Sequence, residues 1–479
     1  MRKIMKRTIL SLTAVLIAAS MLVSGCFGGG GNANGKNKAS DGRPGEKRVE
    51  ADVTAVRETM ENAKAGDRIL LGSWEQNNKT SDGAEAISWI VLTQMVGKAL
   101  VVSEKVLDYQ QFIIPGEGED YRFTHGRYPE SDMRKFLSDV FYAYAFSEQE
   151  KTLILNTKQT YYYVEDYHQM SVEIEDYVFP LSVDEASRYL TAKGTDIYGQ
   201  PTDFVKSFDP YMSDVEGVPG ITSAITWWLR DEGDNWGKAA TVNGYDDKTN
   251  AYGADVSDRR GVRPAMWIVY NENDMAAYER GEIDPKPDPE LDAEIGNLSV
   301  GDIVKYGVFD MNPRMEDGYE DLEWTVLDET GDALLLFMNI NFSSSRFMDI
   351  EEGEPDPEMI CWAFSTIRKV LNDENTLNKL FTPQEKAKIR RTHLVTSGDG
   401  SWEREGGPET DDYLFLPDTA ELEEYFPEKE ARISPNGSYW LRTPAFVEPY
   451  MGSIDENGSL YSKDSEDYCG LRLMMWVNK

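Results

Sequence analysis

Basic charge is scarce in this 479-residue chain: 49 Lys and Arg stand against 85 Asp and Glu, a formal net charge of −36. Phosphate backbones are bound by basic faces, so nucleic acid is excluded as a partner. Anionic lipid headgroups repel the same charge, so attachment to a membrane has to come from something other than a basic patch. Cysteine is rarer still. Cys26, Cys361 and Cys469 are all there is, too few for a disulfide-dense scaffold. Cys361 and Cys469 are expected either to form one bridge or to sit as free buried thiols. Only three histidines occur, His125, His168 and His393. Their contexts are unlike, they give no Ser/His/Asp constellation, and each reads as a lone surface residue. No phosphate-cradling glycine loop and no zinc-ligand spacing is found. Aromatic content of 11% is nevertheless enough for ordinary cores.

What is present begins with an address. Met1 to Arg7 carries four positive charges and no acid, and an apolar run follows from Thr8 to Val23. That run is shorter than the roughly 20 residues of a bilayer-spanning helix and has the form of a secretory signal. It ends in Val23-Ser24-Gly25-Cys26, which resembles the lipobox of bacterial lipoproteins. The resemblance implies a signal peptide over residues 1–25, a lipid on the sulfur of Cys26, and residence on the exported face of a bacterial cell membrane. Residues 26–48 are rich in Gly, Asn, Lys and Ser. Such a stretch buries too little to offset its ordering entropy and reads as a flexible tether.

The rest of the chain repeats itself. Gly66-Asp67 is echoed by Gly301-Asp302, and 22 positions separate Asp67 from Trp89 and Asp302 from Trp324. Gly97-Lys98-Ala99-Leu100 answers to Gly331-Asp332-Ala333-Leu334, Met133-Arg134-Lys135 to Ile367-Arg368-Lys369, and Phe146-Ser147 to Phe381-Thr382. Asp176-Tyr177-Val178-Phe179 returns as Asp412-Tyr413-Leu414-Phe415. The finish, Trp228-Leu229-Arg230 with Gly261-Val262-Arg263 and Met266-Trp267, recurs as Trp440-Leu441-Arg442 with Gly470-Leu471-Arg472 and Met475-Trp476. Two copies of one domain are expected, over residues 49–270 and 297–479. Between them, residues 271–296 carry Asp284-Pro285-Lys286-Pro287-Asp288-Pro289, which favours an extended, semi-rigid spacer.

Each copy reads as α+β. A strand after Gly-Asp is followed by a hairpin-like pair, Ile87 to Leu92 and Ala99 to Ser103. Met133, Phe136, Leu137, Val140 and Tyr144 recur at helical spacing. Ser147 with Glu150, and Thr382 with Glu385, form capping boxes that open a second helix. A third helix is expected over Val183 to Leu190, with a further one near Val49 to Ala63 ahead of the first copy. Each unit ends in a Trp-Leu-Arg strand, polar loops and a closing strand.

With those residues in place, the first copy resembles a bacterial domain family of unknown function. Its members read roughly Gly-Asp-x-Ile-x-Phe-Gly-x-Tyr, then Trp-x-Val-Leu, Trp-Trp-Leu-Arg-Ser-Pro-Gly and Gly-Val-Arg-Pro-Ala-Leu-Trp-Ile. Here these appear at Gly66 to Trp74, Trp89 to Leu92, Trp227 to Gly233 and Gly261 to Ile268. The second copy keeps Pro444 after its Arg442 but has lost the counterpart of Pro264. The order of elements is similar to the C-type-lectin-like fold, which formylglycine-generating enzymes share. That likeness implies tandem lectin-like units, each a small mixed or antiparallel sheet with two or three helices and a loop-rich second half; fold does not hand over a reaction.

The candidate site is the loop after Trp-Leu-Arg in the first copy: Asp231, Glu232, Asp234, Asn235 and Trp236. Clustered oxygen donors on a tight turn suit a hard cation such as calcium, and an exposed tryptophan suits a sugar ring. The competing reading is a merely solvated turn. Acidic pairs such as Asp246-Asp247 and Asp411-Asp412 are likewise expected in solvated loops. Trp228, Arg230, Arg263, Trp267 and their counterparts Trp440, Arg442, Arg472 and Trp476 are expected to be structural, through ion pairs or stacking. The leading functional expectation is a surface-anchored, non-catalytic binding module for a glycan or protein ligand. An extracellular enzyme acting on cell wall or polysaccharide, and a spacer without ligand, are the alternatives.

Overall fold

A computed structural model describes residues 49–116, 125–165, 168–191, 199–208, 225–233, 235–243, 249–309, 319–348, 360–398 and 404–479. The expected signal peptide, Cys26, the tether, Asp234 and the Asp246-Asp247 pair lie outside the described residues.

Both copies are mixed α+β and are built on one plan. In the first, strands Arg68–Trp74, Glu85–Met95, Lys98–Ser103 and Ala265–Val269 lie side by side in that order. In the second, Ile303–Phe309, Glu320–Thr330, Ala333–Met338 and Met474–Asn478 repeat the order, with Ile389–Arg390 added at the edge. The closing strand thus returns to pair with the third strand, and each copy is sealed by its own C-terminal residues. A second five-stranded sheet follows the same rule. Thr249–Asp255, Lys238–Val242, Trp227–Glu232, Arg259–Val262 and Asp108–Gln111 in the first copy correspond to Leu460–Asp464, Tyr450–Ile454, Tyr439–Pro444, Tyr468–Leu471 and Ser343–Arg346. The one parallel contact in each sheet joins Gly261 to Trp227 and Gly470 to Tyr439.

The repeat extends to single hydrogen bonds. Trp89 Nε1 donates to Leu71 O and Trp324 Nε1 to Tyr306 O, both at 2.8 Å. Each capping box forms, and its glutamate does a second job: Glu150 accepts from Gly72 N at 3.0 Å, Glu385 from Gly307 N at 3.1 Å. Arg134 reaches Asp176 and Arg368 reaches Asp412. Separate hydrophobic clusters result, one around Trp89, Leu100, Phe146 and Trp228 in the first copy, another around Trp324, Leu335, Phe381 and Trp440 in the second, with a small satellite of Leu422, Tyr439, Leu441 and Ile454 beside it.

Four expectations need correction. Residues 271–296 are not a plain spacer. Helix Glu272–Glu279 precedes the proline stretch, and helix Pro289–Gly296 follows it with Asp288 as N-cap and Ile295 fully buried. Asp52, helix Val53–Met60 and buried Met60 are its counterparts ahead of the first copy. The hairpin turns match one residue out of step with the sequence echo: Met95 pairs with Lys98 and Thr330 with Ala333, so Leu100 corresponds to Leu335 rather than Leu334. A long ribbon, Thr157–Glu165 against His168–Asp176, stands where no element was expected. Finally, Asp412 is not solvated. It is fully buried, with Trp362 Nε1 at 2.8 Å, Thr410 Oγ1 at 2.7 Å and Arg368 Nε at 2.7 Å all donating to it.

Candidate binding surface

In the first copy the strand Trp227–Glu232 runs two residues further than the sequence suggests, so Asp231 and Glu232 sit on a strand and not in a loop. Successive strand residues face opposite ways, and these two part company. Asp231 turns inward and accepts from Val183 N at 2.6 Å, capping a helix start. Burial raises its pKa, and Arg230 opposes that rise. Glu232 turns the other way and lies 2.8 Å from His125 Nδ1. The chain then reverses over Gly233–Gly237: Gly233 N donates to Lys238 O at 3.0 Å, and Gly237 takes φ +74°, a conformation glycine adopts without strain. Asn235 is exposed at the tip, and Trp236 is 60% exposed with its ring 4.6 Å from that of His125. Tyr252, 56% exposed, flanks the same turn with Lys238 Nζ 4.9 Å above its ring.

The two described carboxylates diverge, each already engaged, and among the described residues no group of three or more His, Cys, Asp or Glu side chains comes together. What the tip does offer is a stacking surface. His125, expected to be a lone surface residue, is part of it, held between Glu232 and Trp236. Its sequence position, more than 100 residues before the turn, carries no hint of that contact. His393 is exposed between Asp411 and Glu409, and the hydrogen bond to Asp411 raises its pKa. The side chain of His168 lies outside the described residues.

The second copy shows the same hairpin with different tip chemistry. Strands Tyr439–Pro444 and Tyr450–Ile454 are joined through Ala445 to Pro449, and Arg404 pins the turn by donating to Ala445 O and Tyr450 O. Phe446 and Val447 are 57% and 55% exposed there. The equivalent turn of each copy thus ends in exposed apolar side chains.

The arginines and tryptophans of the Trp-Leu-Arg strands and of the chain's return to the closing strands are engaged within the fold. Arg230 makes a two-pronged contact with Glu185, at 2.5 and 2.9 Å, and also donates to Pro180 O. Arg442 does the same with Glu421, at 2.6 and 2.9 Å, and adds Asp418 at 3.1 Å. Each glutamate belongs to the capping box of the helix packed beside it. Arg263 is buried, donates to Ser103 O at 2.7 Å and lies over Trp227; Arg472 donates to Met338 O at 2.8 Å and lies over Phe337. Trp228 and Trp440 are buried and donate to Gln110 O and Ser345 O, while Trp267 and Trp476 are half-buried in the closing strands. Cys361 and Cys469 are free and buried, so the bridge is not made. They sit in different surroundings, Cys361 against Gly407 and Cys469 against Ser438 on a sheet strand. No described helix is long and apolar enough to cross a membrane.

Residues 96–270 and 330–479 each match the family described as Domain of unknown function (DUF6273). No curated protein and no solved structure matches the chain.

Proposed function

The chain belongs to this family, carrying two copies of its domain, and from that premise we propose that it is a lipid-anchored surface protein whose copies are binding modules rather than catalysts. The observation that carries the reading is the shared hairpin tip. Apolar side chains on a soluble surface cost solubility, and singly they need no explanation. Here they recur at one position of a duplicated fold, as Trp236 in one copy and Phe446 with Val447 in the other. Exposed aromatics at loop tips, held by a rigid sheet, are typical anchors for a ligand. The ligand class is a glycan or a protein. Trp236, with His125 and Glu232 beside it, offers a flat ring and polar neighbours of the kind a sugar face uses. Two tips on one chain bind a multivalent surface more tightly than either alone. Reading each unit as a C-type-lectin-like variant rests on the order of its Trp-Leu-Arg strand, loop and closing strand. The anchor rests on Val23 to Cys26 and the tether behind it.

The test is the mature protein on a glycan and peptide array, with and without chelator, alongside Trp236→Ala and Phe446→Ala. Binding that survives chelator and falls at least tenfold in one variant supports the reading. Binding abolished by chelator, or unchanged in both variants, sinks it. The anchor is tested separately: mass spectrometry must find an acylated cysteine at the mature N-terminus.

A further inference from the structure

We infer that the second copy contains a separate binding pocket for a small, uncharged, hydroxyl- or amide-rich molecule of the saccharide class, centred on Asn341. The inference stands apart from the hairpin tips and does not depend on them. The pocket has a volume of about 610 Å³, within the range of small-molecule sites. Asn341, Ser438, Cys469 and Gly470 line it together with Ser343 and Asn436, and Phe309 and Tyr468 supply two aromatic rings.

Asn341 is 94% buried, being only 6% exposed, and its Oδ1 has no hydrogen-bond partner. Its orientation is not in question. Nδ2 donates to Gly437 O at 3.2 Å and to Ser438 O at 3.1 Å, and flipping the amide would set oxygen against two carbonyls. Oδ1 is therefore a buried acceptor without a donor, a state that calls for an explanation. A ligand hydroxyl or amide N–H supplies one.

The first copy shows what the site looks like when closed. There the equivalent residue is Val106, fully buried, and the strand Lys105–Val106 pairs in parallel with Gln200–Pro201. Thr202 N donates to Val106 O at 3.2 Å, and helix Asp203–Lys206 follows with Phe204 fully buried. The chain from Asp176 to Trp228 that provides this cover is 52 positions long, whereas from Asp412 to Trp440 it is 28. The second copy is 24 positions shorter at this point, which is room for the missing cover. In its place the Asn436 side chain satisfies the backbone of Asn341, accepting from its N–H at 2.9 Å and donating to its carbonyl at 2.6 Å.

That substitution selects the ligand class. Because Asn436 already occupies the backbone groups of Asn341, an extended peptide finds no free strand edge there. Among the described residues no Lys or Arg lines the pocket and the charged lining residue is Glu456, so an anion is disfavoured. Burial pushes the Cys469 thiol up, which leaves it neutral and no nucleophile. What remains is a ring of hydroxyl and amide groups with Tyr468, 65% exposed, at the rim as a stacking face.

The test is saturation-transfer NMR and calorimetry on the mature protein with N-acetylglucosamine, glucose, galactose and their β-linked disaccharides, and an extended-peptide library as the rival class. Asn341→Val installs the first-copy residue. Tyr468→Ala removes a largely exposed ring, whose contact in the fold is with Arg346 5.4 Å over it, and guards against misfolding of the first variant. The expected result, read in a shared Trp236→Ala background so that the hairpin tip contributes nothing, is binding by at least one sugar, weakened tenfold or more when Tyr468→Ala or folded Asn341→Val is added. No binding by any sugar overturns the inference. So does binding that persists when Tyr468→Ala is added, or occupation of the pocket by peptides alone.

Discussion

Asp108 offers a quantitative test of the buried charge in the first copy. It is 1% exposed, and burial pushes its pKa up to about 6 although Tyr109 N, Gln110 Nε2 and Trp74 Nε1 all donate to it. The unfolded chain holds this carboxyl near 3.9. A carboxyl with a raised folded pKa keeps its proton longer in the folded state. Its contribution to stability is therefore greatest below about pH 4, is lost as pH rises toward 6, and is constant above that. A shift of about two units corresponds to roughly 3 kcal/mol. Asp108→Asn removes the titration. It also misplaces at least one hydrogen bond, since an amide cannot accept from all three donors, but that cost of about 1 kcal/mol is the same at every pH. Urea unfolding at half-unit steps from pH 4 to 7.5 separates the two effects. Wild type is expected to lose up to about 3 kcal/mol more than the variant across that range. Parallel profiles for the two proteins would refute the assignment. The second copy has Ser343 at the equivalent position, so the pH-sensitive transition belongs to the first.

Arg442 is buried between Glu421 and Asp418; Arg442→Met strands two carboxylates and is expected to cost about 3–5 kcal/mol, read as a lower midpoint in urea. A Cβ on Gly470 would lie 2.3 Å from Asn341 Nδ2 and 2.5 Å from Ser438 O, so Gly470→Ala is expected to destabilise by about 2–3 kcal/mol. Gly296, helical and with nothing within 4 Å of its virtual Cβ, is the control: Gly296→Ala is expected to stabilise by about 0.4–1 kcal/mol. Thermal melts in which the two alanines behave alike would contradict the packing argument.

The duplication was legible because its landmarks are residues whose side chains close the core or cap an element. Trp89 and Trp324, Glu150 and Glu385, Arg230 and Arg442 repeat because the same bond has to be made twice. The α+β class followed from the spacing of strands and capping boxes. Less was legible where residues act across long separations. The sequence placed Asp231 and Glu232 in one cation loop because they are adjacent, but on a strand adjacency sends them to opposite sides. His125 meets Trp236 only through the fold. The Asn341 pocket is visible as a missing 24 positions only once strand pairing says what those positions cover. The ribbon Thr157–Asp176 escaped notice because, among its described side chains, only Tyr161, Ile174 and Asp176 are buried, and a mostly exposed ribbon lacks the apolar alternation of a half-buried strand.

Whether the two copies fold as one cooperative block follows from where they touch. Their hydrophobic clusters share no residue. Contact between them includes Arg188 Nη1 donating to Asn378 O at 3.0 Å and runs around a cleft of about 620 Å³ lined by Met95 and Lys98 on one side and Leu377 and Lys386 on the other. A joint that leaves such a cleft open couples two cores weakly. Leu100→Ala and Leu335→Ala remove equivalent leucines, 1% and 3% exposed, from the two cores, each at a cost of about 2–5 kcal/mol. Calorimetry of the wild type should resolve two transitions. Each variant should lower one of them, by roughly 2–4 °C per kcal/mol for a unit of this size, and leave the other in place. Were a single transition to move equally with either leucine, the cleft would be no boundary, and the copies would have to be treated as one folding unit despite their separate cores.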